Sequence, residues 1–266
     1  MENSSCELTN HALPPEMETL QVNPEAILLH VDQIQANGFT LIEKALPLSL
    51  IEAMRVQFDP LIEEHRRACT TNRGSNRYQM YLPFEPPFSS PLLIEHPVVL
   101  AVLRRVLGER FLLNYFASDT PFPGSDYQAI HSDGEPLFPG TQVSLPCYAV
   151  VLNIALVDVT EENGPMEIWA GGTHSLTAQV NVEKAAQKMA SQRLTMKAGD
   201  ILLRDPRAWH RGTPNHGARS RPNIALLYAR SWYRFGLDLP TIRRSQFDSL
   251  SESAQSMLRY ATLLDG

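Results

Sequence analysis

From Phe111 onward the chain breaks into short β-prone runs separated by turn residues: FLLNYFAS, YQAIHSD, YAVVLNIALVDV, MEIW, LTM, DILL, AWHRG and NIALLYARSWY. A series of this kind, with no domain linker inside it, implies an antiparallel sandwich or barrel. The punctuation between runs is chemically suited to turns, as in Glu162-Asn163-Gly164-Pro165, Ala198-Gly199-Asp200 and Pro214-Asn215-His216-Gly217.

Ahead of the β series the texture is helical. Leu50, Ile51, Met54, Phe58, Leu61 and Ile62 recur at three and four residue intervals, which predicts an amphipathic helix over Pro47 to Arg67, kinked at Pro60. A second helix is predicted from Pro97 to Leu107, opened by proline and stopped by Gly108. Two further helices are expected over Val182 to Ser191 and Ser251 to Thr262. Residues 1–23 lack periodicity and carry Pro14 and Pro15, so they read as a loose tail, with one domain from 24 to 266. The fold class is therefore mostly β with flanking α.

A hydrophobic fraction of 43% against 20% charged residues supplies a substantial core and excludes global disorder. The net charge of −6 and a pI near 5.8 leave no electrostatic footprint for nucleic acid or an anionic membrane, so the partner class is a small molecule or a protein. Cys6, Cys69 and Cys147 show no CxxC spacing and are expected as reduced thiols. The first residues lack the features of a secretory or transit peptide and no apolar stretch is long enough to span a membrane, making a cytoplasmic location the expectation. Oligomeric state, monomer or homodimer, is not written in these patterns.

His131-Ser132-Asp133 ends the run YQAI. Residues at i and i+2 on an extended strand share a face, so an imidazole and a carboxylate point to one spot and can hold a metal. An exposed histidine beside a turn aspartate gives the same pattern, and H-x-D alone is weak. Downstream lie Ala208-Trp209-His210-Arg211-Gly212 and then Arg221 before the run NIALLYA. If these two runs form a hairpin, His210 and Arg221 stand near each other across the ladder. Two histidines and a carboxylate, one of them from a distant strand, are the ligand set of the facial triad that binds non-haem Fe(II) and leaves coordination positions open. A guanidinium nearby suits bidentate recognition of a carboxylate.

With these residues in view, the sequence resembles the phytanoyl-CoA dioxygenase family of Fe(II)/2-oxoglutarate-dependent oxygenases over roughly Gly38 to Trp232. The likeness rests on His131 and Asp133, on TEENGP at Thr160 to Pro165 followed by GGTH at Gly171 to His174, and on WHRGTPN with Arg221. The resemblance implies a double-stranded β-helix (jelly roll, cupin-like) core behind N-terminal helices. It implies Fe(II) held by His131, Asp133 and His210, and 2-oxoglutarate held through its C5 carboxylate by Arg221. Gln128 would contact the cosubstrate, and Arg77 in NRYQMYLPF would add a basic contact to cosubstrate or substrate. Met166 replaces a threonine common in relatives, and Ala170-Gly171-Gly172-Thr173-His174 replaces their P-G-S-H. The implied reaction consumes O2 and 2-oxoglutarate, releases succinate and CO2, and uses ascorbate as reductant in vitro. Relatives that halogenate have a small residue in place of the carboxylate, so Asp133 implies hydroxylation or another oxidative outcome.

The implied substrate is a specialised small molecule of secondary metabolism, because NRYQMYLPF and WHRGTPN resemble natural-product oxygenases, including aminoglycoside-modifying ones. Two other readings stand beside this one: a metal-dependent hydrolase or isomerase using the same pocket, and a non-catalytic binding module on the same scaffold. Of the remaining polar candidates, Arg211 and Arg219 are expected in solvent, and His174 and His216 in structural or solvent roles. Trp209 and Trp232 are expected as core or pocket wall. Asn153, on an apolar run, is expected to face a partner or the cavity.

Overall fold

A computed structural model gives the fold, and the residues it describes are 22–69, 73–134, 137, 138, 143–176, 180–234, 236 and 238–265. Most of the expected tail lies outside them, as does Cys6. Cys69 and Cys147 form no disulfide.

Helix α1 (Pro24–Asn37) is not among the helices expected above, although its ends are well marked: the Asn23 side chain accepts from the Glu25 amide, Pro24 opens it and Gly38 closes it at φ 85°. Strand β1 (Phe39–Ile42) follows, then α2 (Leu48–Ala68), which contains Pro60 and buries Ile51, Met54, Phe58 and Ile62 as the periodicity requires. Strand β2 (Arg77–Tyr81), the short α3 (Pro91–Ile94) and α4 (Pro97–Leu107) lead into the β series. No helix among the described residues is long and apolar enough to cross a membrane.

The β series comprises β3 (Phe111–Pro121), β4 (Ala149–Ala155), β5 (Met166–Ile168), β6 (Gln192–Leu194), β7 (Ile201–Arg204), β8 (His210–Gly212) and β9 (Asn223–Arg230). Six strands form an antiparallel sheet in the order β1-β7-β4-β9-β3-β2, and three form a second in the order β6-β5-β8. The chain crosses between the two sheets from β4 to β5, from β6 to β7, from β7 to β8 and from β8 to β9, the repeated sheet-to-sheet crossing of a jelly roll.

Alternation along the large sheet divides its faces. Val150, Leu152, Ile154, Ile201, Leu203, Ile224, Leu226 and Tyr228 pack outward against the helices. Each such aliphatic side chain contributes about 1.5–3 kcal/mol on burial. Facing inward are Val151, Asn153, Leu202, Arg204, Asn223, Ala225 and Leu227, which line a cavity between the sheets. On β3 the register shifts between Leu113 and Tyr115. That bulge swaps the parity of the strand, so Leu113 lies in the outer core while Tyr115 and Asp119 line the cavity.

Three sequence expectations need correction. The runs around His210 and Arg221 do not form a hairpin: β8 pairs with β5, whereas β9 lies between β4 and β3. The connecting segment crosses the sandwich, so His210 and Arg221 reach the cavity from opposite walls. YQAIHSD is not a regular strand and contributes a single bridge, His131 to His210. Two helices are also shorter than expected. Residues Val182–Ala186 form α5. After α6 (Arg244–Asp248), α7 spans only Glu252–Met257, capped by Ser251, and Thr262–Leu264 is a strand, β11, beside β10 (Thr241–Arg243).

Candidate functional site

His131 and His210 face each other as a bridge pair: the His131 amide donates to the His210 carbonyl at 3.0 Å and the His210 amide donates back at 2.9 Å. Each ring is fixed in the same way. Nδ1 of His131 lies 2.8 Å from the Ala129 carbonyl and Nδ1 of His210 lies 2.9 Å from the Ala208 carbonyl. A carbonyl only accepts, so both Nδ1 atoms carry the proton and both Nε2 lone pairs are free for a ligand.

Asp133 completes the group. Its amide and that of Gly134 donate to the Pro206 carbonyl, at 2.8 and 3.0 Å, which anchors the bend that holds it. Oδ1 lies 3.6 Å from His131 Nε2, and Oδ2 lies 3.5 Å from His210 Nε2. One ligand atom from each of the three residues falls within 4.8 Å of the others. Burial works against the Asp133 carboxylate, yet Arg204, His210 and His131 hold it well below the ordinary carboxylate range. Burial, with Arg204 adjacent, pushes His210 down to about 3, so it is neutral at physiological pH. Burial also opposes charge on His131, but Asp133 and the Ala129 carbonyl raise its pKa. Two neutral-capable imidazoles and an ionised carboxylate are a donor set that fits Fe(II).

Arg204 is the residue that sequence reasoning missed here. Its Nη2 donates to Asp133 Oδ2 at 2.5 Å and its Nε to Asn153 Oδ1 at 3.3 Å, tethering the carboxylate to the large sheet. Asn153 thus has both the partner and the cavity position expected of it.

A second charged cluster occupies the same cavity of about 240 Å³. Arg221 is buried, donates from Nη2 to the Gly164 carbonyl at 2.6 Å, and leaves Nε without a partner. The TEENGP turn therefore supplies the carbonyl that orients Arg221. Gly164 has φ 87°, and a Cβ there would lie 3.0 Å from the Thr213 carbonyl. Arg77, 1% exposed, donates to Asp119 at 3.0 Å and to the Thr213 carbonyl at 3.0 Å. Burial and the neighbouring Arg77 lower the pKa of Arg221 to about 10. Arg77 Nε and Asp119 Oδ1 are, like Arg221 Nε, buried and unpartnered. Unsatisfied buried groups are costly, and the two guanidinium donors mark a place where an anionic ligand fits.

Gln128 lines the cavity, but its amide is committed to main chain, accepting from Gly212 N at 2.8 Å and donating to the Arg73 carbonyl at 3.1 Å. Met166 also lines it. Arg211 points away, ion-paired to Glu167 and stacked on Tyr127 and Trp169. His174 is buried against the Gln35 carbonyl, while Arg219 and His216 are exposed. Trp209 is core, whereas Trp232 is 65% exposed and belongs neither to the core nor to the cavity wall, a correction to the expectation above.

The family model for phytanoyl-CoA dioxygenase (PhyH) matches residues 34–223, which is most of the chain and contains every residue of both clusters. This chain belongs to the phytanoyl-CoA dioxygenase family. Among curated proteins, "Dioxygenase af480" of Aspergillus fumigatus is 27% identical over 149 residues, 56% of this chain and 46% of that protein, so the alignment spans about half of the relative. Among solved structures, the epimerase SnoN in complex with Fe3+, alpha ketoglutarate and nogalamycin RO matches at TM-score 0.62 and 19% identity, covering 92% of this chain and 97% of that one. HygX from Streptomyces hygroscopicus, with nickel, 2-oxoglutarate and hygromycin B bound, matches at TM-score 0.60 and 17% identity over 89% and 96%. At these identities the structural likeness establishes a shared jelly-roll fold.

Proposed function

We propose that this member of the phytanoyl-CoA dioxygenase family is an Fe(II)- and 2-oxoglutarate-dependent dioxygenase that hydroxylates a small molecule of specialised metabolism. The observation that carries the reading is the presence, in one cavity, of a His131–Asp133–His210 donor set with both Nε2 atoms free and of a buried arginine cluster lacking a full set of partners. His131, Asp133 and His210 would hold the metal. Arg221, with Arg77 beside it, would receive the distal carboxylate of 2-oxoglutarate. Bound iron would supply activation of O2 coupled to oxidative decarboxylation of 2-oxoglutarate to succinate and CO2.

The remaining work belongs to the chain's own side chains. The Ala129 and Ala208 carbonyls fix both imidazole tautomers before any ligand arrives, and Arg204 holds the Asp133 carboxylate in place, so the site is preorganised. Gln128 clamps β8 to the segment carrying His131. Small inward residues such as Ala225 leave volume for ligands, and the surrounding apolar side chains of Val151, Leu202 and Leu227 exclude water. A metal-dependent hydrolase or isomerase that takes no 2-oxoglutarate would leave this buried arginine pair without its carboxylate, which favours the oxygenase reading.

The test is succinate release from 2-oxoglutarate by the purified protein with Fe(II), ascorbate and O2, with His210→Ala as control. Slow turnover that disappears in the variant is expected. Turnover unchanged in His210→Ala would remove that residue from the site, and absence of both turnover and 2-oxoglutarate binding would refute the oxygenase assignment.

A further inference from the structure

The balance of charge in the cavity bears on the prime substrate, an inference that rests on the oxygenase reading. Four guanidinium groups line the cavity, those of Arg73, Arg77, Arg204 and Arg221, against two carboxylates, Asp119 and Asp133. A divalent metal and a doubly negative cosubstrate cancel one another, so an excess of two positive charges persists when both are bound. In an enclosed, weakly screened space that excess repels an amine-rich compound and attracts an acidic one.

Three of the four arginines already have a counterpart. Arg77 pairs with Asp119, Arg204 pairs with Asp133, and Arg221 is held on the Gly164 carbonyl beside the orphaned atoms that suit the cosubstrate. Arg73 differs from them. No carboxylate among the described residues pairs with it, and its side-chain contacts are with neutral groups: Nε donates to Gln79 Oε1 at 2.5 Å, and the guanidinium lies near Tyr115. Its main-chain carbonyl accepts from Gln128 Nε2. Gln79 belongs to β2 of the large sheet and Gln128 to the segment leading to His131, so Arg73 is tied across the gap between the two walls. It is exposed while lining the cavity, which places its uncompensated charge at the opening.

We propose that the prime substrate is a carboxylate-bearing small molecule and that Arg73 receives its acidic group at the cavity opening. An arginine oriented by neutral partners keeps its full charge and a free edge for a planar, two-point contact with a carboxylate. The polycationic aminoglycoside class suggested by the resemblance in NRYQMYLPF and WHRGTPN is disfavoured by the same count.

The experiment uses the full chain loaded with Mn(II) and 2-oxoglutarate under anaerobic conditions, screened by ligand-detected NMR against a fragment set built as matched carboxylate, amide and amine triples. Hits are expected among the carboxylates, with affinities that fall at least about tenfold in Arg73→Gln, while 2-oxoglutarate affinity and the denaturation midpoint of the variant stay at wild-type values. Hits confined to amides or amines, an absence of carboxylate hits, or carboxylates that bind Arg73→Gln as well as wild type would each overturn the proposal. A parallel loss of 2-oxoglutarate binding in Arg73→Gln would also overturn it, making Arg73 a cosubstrate contact. Failure of the wild-type protein to bind 2-oxoglutarate at all would refute the oxygenase reading instead.

Discussion

Replacing Arg221 by methionine should separate stability from function, because the residue is costly to the empty protein. Burial and Arg77 lower its pKa from the ordinary arginine value to about 10. At neutral pH the side chain is below both values and therefore fully charged, so the whole penalty applies, roughly 3 kcal/mol at about 1.4 kcal/mol per pH unit. Methionine removes that charge while keeping a long side chain in the space. Against this gain stands the hydrogen bond to the Gly164 carbonyl, whose loss costs about 1–3 kcal/mol. The metal-free variant is thus expected to be as stable as wild type or more stable by up to about 2 kcal/mol, read from urea denaturation at neutral pH. Binding should change in the opposite sense. A charge-assisted contact contributes about 1.5–3 kcal/mol, so 2-oxoglutarate affinity for the Mn(II)-loaded protein should fall about ten- to a hundredfold by calorimetric titration. A variant that loses more than about 2 kcal/mol of stability yet binds 2-oxoglutarate normally would refute both halves of the reasoning. Unchanged affinity alone would move the anchor to Arg77.

Gly212→Ala should destabilise the protein by roughly 1–3 kcal/mol and weaken 2-oxoglutarate binding, since the new Cβ would lie 2.5 Å from the Arg77 Cζ, and Arg77 is pinned by Asp119 and the Thr213 carbonyl. Wild-type denaturation and binding curves would show that Arg77 yields freely. His96 is buried, its Nε2–H donating to the Ala45 carbonyl while Nδ1 accepts from the Val99 amide, and burial lowers its pKa below 6.5. Its contribution is fully present above the unfolded pKa and declines as pH falls from 6.5 towards the lower folded value, because the unfolded chain takes up the proton first. His96→Asn should therefore lose less stability than wild type between about pH 7.5 and about pH 5.5, and equal losses in urea titrations would exclude His96 as a source of acid sensitivity. Chelation by EDTA should abolish turnover and Fe(II) with ascorbate should restore it; restoration by Zn(II) alone would favour the hydrolase reading.

What was legible in the sequence is what local pattern encodes. The periodicity of Leu50 to Ile62, the proline and glycine bounding 97–107 and the turn chemistry of TEENGP and PNHG each depend on neighbouring residues, and the corresponding elements lie where expected. The H-x-D pair and His210 meet in space as their chemistry suggested. The hairpin expectation failed for a topological reason: proximity in sequence favours pairing, but the chain crosses from one sheet to the other between β8 and β9. Asp119 escaped notice because the bulge beside Asn114 reverses the inward parity of β3, and no residue-level pattern signals which strand carries a bulge. Arg204 is the opposite case. It shares parity with Leu202 in DILLR, so its face could be read, but its significance depends on Asp133, 71 residues away. The ends of α1 carried clear capping signals in Asn23, Pro24 and Gly38; its weak amphipathic pattern hid it.

The placement of charge explains why so much of the large sheet is alanine, valine and leucine on its inner face. Buried arginines lose hydration that single hydrogen bonds only partly restore, and Arg77, Arg204 and Arg221 each keep a nitrogen without a partner. Such a site persists only if the frame around it is stable without help from the site. The outer face provides that frame: long aliphatic side chains from β4, β7 and β9 pack against α2 and α4 and fix strand register independently of the cavity. Ligands of matching charge compensate these groups, an anion for the arginines and a cation for the Asp133 group. It follows that metal and 2-oxoglutarate together should stabilise the fold by more than the sum of their separate effects. Each reduces an electrostatic cost that the other would face alone, and denaturation midpoints with either ligand and with both measure that coupling directly. Strictly additive shifts would show that the two clusters, although they share one cavity, are electrostatically independent.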